Sequence, residues 1–85
     1  MNVLGLSVSL EECNKILNVD LRDFCYVRIS IRDEDFSVCS KVSSNKLSNC
    51  YLAVALKKGD VSVCEQIDSA EERDNCKRLV EELIN

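Results

Sequence analysis

Six cysteines fall in two interleaved series that share one period. Cys13, Cys39 and Cys64 are 26 and 25 residues apart, and Cys25, Cys50 and Cys76 are 25 and 26 apart. Self-similarity at a fixed period of this size marks a chain of tandem supersecondary units that bury their apolar faces on one another. Around the first series a capping residue, an apolar residue, the cysteine and an aliphatic recur in register. They are Ser9, Leu10, Cys13 and Ile16, then Asp35, Phe36, Cys39 and Val42, then Asp60, Val61, Cys64 and Ile67. Ser and Asp accept from the N–H groups left free in a first helical turn, and Ser9 with Glu12 has the spacing of a capping box. Apolar residues or cysteine at one, four and seven positions past the cap make one stripe along about two helical turns.

Around the second series Cys25, Cys50 and Cys76 open longer apolar stretches carrying Ile29 and Ile31, Val54 and Leu56, and Leu79, Val80, Leu83 and Ile84. Each repeat therefore reads as a short helix followed by a longer one. Ser69 and Glu72 repeat the capping-box spacing, and Lys57, Lys58 and Gly59 read as a helix end, with cations near the carboxyl terminus and glycine just beyond it. If the chain reverses near Asn18, Ser43 and Ser69, the two cysteines of a repeat stand at similar height on antiparallel neighbours, given a rise of about 1.5 Å per residue. That places them within the Cα separation a disulfide needs, roughly 4.4–6.8 Å. The expected pairs are Cys13 with Cys25, Cys39 with Cys50 and Cys64 with Cys76.

Three other uses of the thiols compete with this pairing. Buried free cysteines are small core residues in many intracellular chains. Structural zinc favours pairs two to four residues apart, whereas the closest cysteines here are separated by ten residues and histidine is absent. A thioredoxin-like redox centre needs C-x-x-C, which does not occur.

With 85 residues, the chain is of a size at which one core gives modest stability and cross-links help. Proline is absent and only Gly5 and Gly59 occur, which suits helices better than tight hairpin turns. The fold class expected is all-α, a single domain of three tandem disulfide-clamped hairpins with about six helices, in a small solenoid-like or orthogonal bundle. The hairpins span residues 9–33, 34–59 and 60–85, and residues 1–8 form an apolar cap.

The net charge is -4, and the acidic groups crowd residues 60–85. Nucleic-acid binders instead concentrate Lys and Arg on one face, so a nucleic-acid partner is not expected. The longest apolar run, residues 51–56, is far short of the roughly 20 residues a membrane helix needs, and the chain is expected to be soluble and without a membrane span. Residues 1–8 lack the basic start and small-residue cleavage site of a signal peptide. The location is then intracellular, where disulfides persist in hyperthermophiles, or extracellular if the sequence is a mature fragment. A single glutamine and the high charge agree with a thermophilic source, while seven asparagines argue against it.

The frame D-x-S-x-C-x-x-I, followed after a short turn by R-D-x-C-Y, resembles a cysteine-bearing helical-hairpin repeat found in tandem in uncharacterised, mostly archaeal proteins. The resemblance covers about residues 9–82. The first repeat departs from it at Ser9 and Glu11, the second at Leu47 and Ser48, the third at Lys77. It implies a stack of hairpins and brings no activity with it. Saposins are also helical with six cysteines at about this length, but their pattern opens with C-x-x-C. The twin C-x9-C mitochondrial proteins place two disulfides in each hairpin instead of one.

Candidate surface residues are the aromatics near the second cysteine series, Tyr26 and Tyr51, with Phe24 and Phe36 nearby. Solenoids often carry such residues on a binding face, though one position from a core cysteine they also seal hairpin packing. Arg22 with Asp23 and Arg73 with Asp74 read as local salt bridges or partner contacts. Glu71, Glu72, Asp74, Glu81 and Glu82 read as a solvated face, or else as a site for cations or a basic partner. Val3, Leu4, Leu6 and Val8 lie outside the repeat and read as a cover for the first hairpin or a homodimer contact. No catalytic constellation, phosphate-binding loop, cofactor motif or metal-ligand set is evident. The expectation is a non-enzymatic interaction or scaffold module with an unknown protein partner. Its alternatives are a saposin-like carrier of lipid or a small apolar ligand, and a thiol-disulfide redox protein.

Overall fold

A computed structural model describes residues 9–84. Six helices follow one another in the order α1 (Leu10–Asn14), α2 (Val19–Asp33), η1 (Phe36–Lys41), α3 (Ser44–Lys58), η2 (Val61–Gln66) and α4 (Ala70–Ile84), and the described residues contain no strand. The protein is thus an all-α stack in which a short helix precedes each long one. The apolar segment 1–8 lies outside the described residues.

The three short helices start from side-chain caps but differ in winding. Ser9 Oγ accepts from Glu12 N at 3.3 Å, and Glu12 returns the bond to Ser9 N, a complete capping box. Cys13 N then reaches Ser9 O, an α-type bond. Asp35 and Asp60 instead accept from the N–H and hydroxyl of the serine two residues on, Ser37 and Ser62. Val38 N and Val63 N close back on Asp35 O and Asp60 O, one residue tighter. The result is 3-10 winding in η1 and η2. The D-x-S cap holds the chain in a two-residue turn that competes with the first α-type bond.

The long helices end in a repeated way. Gly59, just past α3, takes the left-handed conformation (φ 67°), and the equivalent position after α2 is Glu34 (φ 54°), the one non-glycine residue with positive φ among those described. Asp60 N and Asp35 N then reach back five residues to Ala55 O and Ser30 O, satisfying carbonyls at each helix end. Asp60 and Asp35 are themselves the caps of η2 and η1, so no linker separates the hairpins.

Each hairpin is bonded internally: Cys13 to Cys25, Cys39 to Cys50 and Cys64 to Cys76, with Cα separations of 5.6, 5.7 and 5.7 Å. Five of these six cysteines are core residues, joined by Ile29, Val54 and Val80 at one repeat position and by Val42 and Ile67 at another. The molecule measures 38 × 29 × 15 Å. Its thinnest dimension is little more than the diameter of one helix with side chains, about 10–12 Å. A slab this thin has little interior, so the disulfides take the place that bulky aliphatics hold in a larger core.

Candidate interaction surface

Several sequence candidates are absorbed by the architecture. Within hairpin 1 the Tyr26 hydroxyl donates to Asn14 Oδ1, and within hairpin 3 Lys77 pairs with Glu65 at 2.6 Å. Both links join the residue after the long-helix cysteine to the residue after the short-helix cysteine. The ion pair draws the Glu65 carboxyl below its ordinary pKa. The change from tyrosine to lysine at position 77 is thereby matched by a change from asparagine to glutamate at position 65. Tyr26 is buried, which removes it from any contact surface. Tyr51 and Phe36 are half-buried and meet edge to face, ring centroids 6.2 Å apart, as packing within hairpin 2.

The arginines serve the turns. Arg22 Nη1 donates to Ile16 O at 3.1 Å, and Arg73 Nη1 donates to the equivalent Ile67 O at 2.8 Å, so each guanidinium clasps the reversal between short and long helix. The expected partnership with the following aspartate is absent from the ion pairs found among the described residues. Asp23 turns instead toward hairpin 2. It is buried, accepts from Ser43 N at 3.2 Å and pairs with Lys46 at 3.2 Å, while Lys46 also reaches Asp20 at 2.8 Å. Hydrogen bonds from Ser43 outweigh burial and hold the Asp23 carboxyl below its ordinary value, and its partner Lys46 is shifted up, chiefly by the bond to Asp20. At the next joint Ser48, the counterpart of Asp23, donates to Glu72, the counterpart of Lys46, at 2.7 Å. Glu72 therefore links hairpins instead of closing a capping box with Ser69, although Ser69 Oγ still accepts from Glu72 N. Asp74 holds the same position in hairpin 3 and is exposed.

Both ends of the stack break the pattern that joins the hairpins. Val38 and Val63 are buried where hairpin 1 has exposed Glu12, and Ser30 and Ala55 are buried where hairpin 3 has exposed Glu81. Solenoids need such polar outer faces at their terminal repeats. A surface hollow of about 590 Å³ beside this terminal face is lined by Glu71, Glu72, Asp74, Asn75 and Arg78, a polar set unsuited to a lipid tail. Among the described residues no group of three or more His, Cys, Asp or Glu side chains is placed to hold a metal ion. No helix among them is long and apolar enough to cross a membrane.

Among the described residues, the exposed large apolar side chains are Leu83 near the end of α4 and a group on the outward side of hairpin 1, where Val19 is exposed as well. Leu17 is 92% exposed, Leu21 and Phe24 are each 60% exposed, and the Arg28 guanidinium carbon lies 5.9 Å from the centre of the Phe24 ring. Positions 21, 24 and 28 are spaced three and four apart within α2, which aligns them along one helical edge, and Leu17 lies in the turn just before that helix. The counterparts of Leu21 are Lys46 and Glu72, and those of Phe24 are Asn49 and Asn75, so hairpins 2 and 3 are polar where hairpin 1 is apolar. Of the four aromatic candidates, only Phe24 belongs to this patch. Leu17 and Leu21 escape sequence reasoning because leucine in a repeat is first assigned to the core. Comparing the three repeats position by position is the signal that exposes them. Set against protein-family models, curated proteins and solved structures, the chain matches none.

Proposed function

We propose that this protein is a non-enzymatic interaction or scaffold module that meets a protein partner through the outward edge of hairpin 1. The observation that carries the reading is the cluster of Leu17, Leu21 and Phe24, large apolar side chains left open on a scaffold braced by a disulfide at every hairpin. Single exposed apolar residues are ordinary on a protein surface, but a contiguous apolar patch rimmed by charge marks a contact site. Here the rim is Asp20 and Arg28. Bracing serves such a role, because a surface held rigid before contact loses less conformational entropy on binding. Polar residues at the same positions of hairpins 2 and 3 support assigning the surface to hairpin 1.

The test compares two immobilised chains, the native one and a Leu21→Glu, Phe24→Asn variant, in extract of the organism that makes the protein. The expected result is a protein retained by the native chain and lost from the variant, while helix content and disulfide mass are the same for both. Equal retention by both chains contradicts this assignment of the surface.

A further inference from the structure

We infer that the outward edge of α2 is the seat of a second copy of this chain, the two α2 helices lying antiparallel about a two-fold axis at Phe24. This rests on the reading of that edge as a docking surface and adds its occupant. Three observations lead to it.

The first is that stacking by repetition is closed. A fourth hairpin, or a second copy joined head to tail, would have to bury Glu81 where Ser30 and Ala55 lie, or Glu12 where Val38 and Val63 lie. Neither glutamate has a cation among the ion pairs found, and an unpaired charge is costly to bury. Association with another copy must therefore use a side of the molecule, with the same patch on both partners, and isologous contacts of this kind close as dimers.

The second observation is that the edge is complementary to itself when reversed. In an antiparallel pair centred on Phe24, residues whose numbers lie equally before and after 24 face one another. Asp20 then meets Arg28 of the partner at both ends of the contact. Leu21 packs beside half-buried Val27 of the partner, and the two Phe24 rings meet at the axis. Asp20 is available for this, its side chain being 85% exposed even while Lys46 reaches it. Arg28 is exposed over the Phe24 ring. A parallel arrangement would instead set Asp20 against Asp20 and Arg28 against Arg28, like charges opposed.

The third is that the corresponding edges of the other two long helices do not match it. The corresponding edges of α3 and α4 present Lys46 with Asn49 and Glu72 with Asn75, which offer no apolar centre. The contact is confined to about one face of a fifteen-residue helix, the low end of specific interface sizes. The dimer is therefore expected to be weak and to depend on concentration.

Sedimentation equilibrium of the full oxidised chain, from about 1 µM to about 1 mM, tests the pairing. The native chain is expected to pass from monomer to dimer across this range. Arg28→Asp and Asp20→Arg are each expected to weaken the dimer at least tenfold, and the double charge exchange to restore it. A native chain that stays monomeric overturns the inference, as does a dimer indifferent to both charge reversals or one the double exchange fails to restore. If the chain is monomeric, nuclear Overhauser contacts from the methyls of Val3, Leu4, Leu6 or Val8 to the Phe24 ring would show the edge covered by the chain's own first residues. Retention of a foreign protein by the native chain but not by the Leu21→Glu, Phe24→Asn variant would then leave the interaction reading standing and the self-pairing overturned.

Discussion

Hairpins 1 and 3 share one frame, a capped short helix, a disulfide, an arginine-clasped turn and a fifteen-residue helix, yet the outward edges of their long helices differ in kind. On α2 the edge carries Leu21 and Phe24; on α4 the same positions carry Glu72 and Asn75. The comparison separates what the fold requires from what it permits. The disulfides and the buried Ile29, Val54 and Val80 recur in all three hairpins, and the arginine clasp recurs in hairpins 1 and 3, where hairpin 2 has Leu47. The apolar edge occurs on one long helix of the three, and no contact among the described residues covers it. That difference is the ground for the proposal that the edge meets a partner.

The bonds shared by all three hairpins give the largest expected effects. Replacing Cys39 and Cys50 with alanine is expected to destabilise the protein by about 2–5 kcal/mol. Replacing Cys13 and Cys25 should cost less, because Cys25 is only half-buried whereas Cys39 and Cys50 are both enclosed. Urea denaturation of the two variants ranks them. Equal losses would mean that the bridges act only through the unfolded chain, since the loops closed are nearly the same length, 11 and 12 residues.

The joints between hairpins come next. Asp23→Ala strands the Ser43 N–H and removes one partner of Lys46, an expected loss of about 1–3 kcal/mol. Asp74→Ala, the same change at the free end, is expected to stay within about 0.5 kcal/mol. Thermal unfolding of both variants checks the pair, and a comparable loss at Asp74 would show that the free face makes contacts of its own. The Asp23 carboxyl also sets the sign of a pH effect. Its folded pKa is depressed below the ordinary 3.8, so its contribution is fully present above that value and is lost as the pH falls below it. Asp60 and Glu65 are shifted the same way by Ser62 and Lys77. Stability should therefore fall below about pH 4, and less steeply in Asp23→Asn than in the native chain, as measured by denaturation midpoints across that range.

The smallest effect compares the two helix ends. Glu34 holds a left-handed conformation that Gly59 adopts without steric cost, so Glu34→Gly is expected to stabilise by about 1 kcal/mol and Gly59→Ala to destabilise by a similar amount. The exposed Glu34–Lys57 pair, 3.7 Å apart, offsets little of that gain. Paired unfolding curves read both changes.

Much of the hairpin architecture was legible in the chain, because the signals are local and repeat. Ser9, Asp35 and Asp60 precede short apolar stretches, Gly59 follows a basic helix end, and the cysteines recur in step. The 3-10 winding of η1 and η2 was not, since it turns on whether the cap bonds two or three residues ahead, a difference of one hydrogen bond between D-x-S and S-x-x-E. The aromatic surface was only partly readable. Tyr26 and Phe24 flank the same cysteine, but neighbouring residues on a helix point about 100° apart, and which of them faces inward depends on where the short helix packs. Asp23 was misassigned to Arg22 for a related reason: its partner lies in the next hairpin, at a sequence distance no local motif reports. The cysteine register alone sets Leu21 beside Lys46 and Glu72, but that Leu21 and Phe24 are exposed, and not packed into the core, is seen only in the structure.

The outward edge of hairpin 1, proposed as the contact surface of the molecule, is expected to contribute nothing to the fold. Sedimentation of a chain in which that edge is rewritten to match hairpin 3, Leu21→Glu with Phe24→Asn, tests it most directly against the native chain and a Glu72→Gln control at the corresponding position of hairpin 3. The predicted result is association in the native and control chains and its loss in the rewritten one, with the sedimentation coefficient of a compact monomer. Association that survives the rewriting, or a rewritten chain that sediments as an expanded, unfolded one, would contradict the claim.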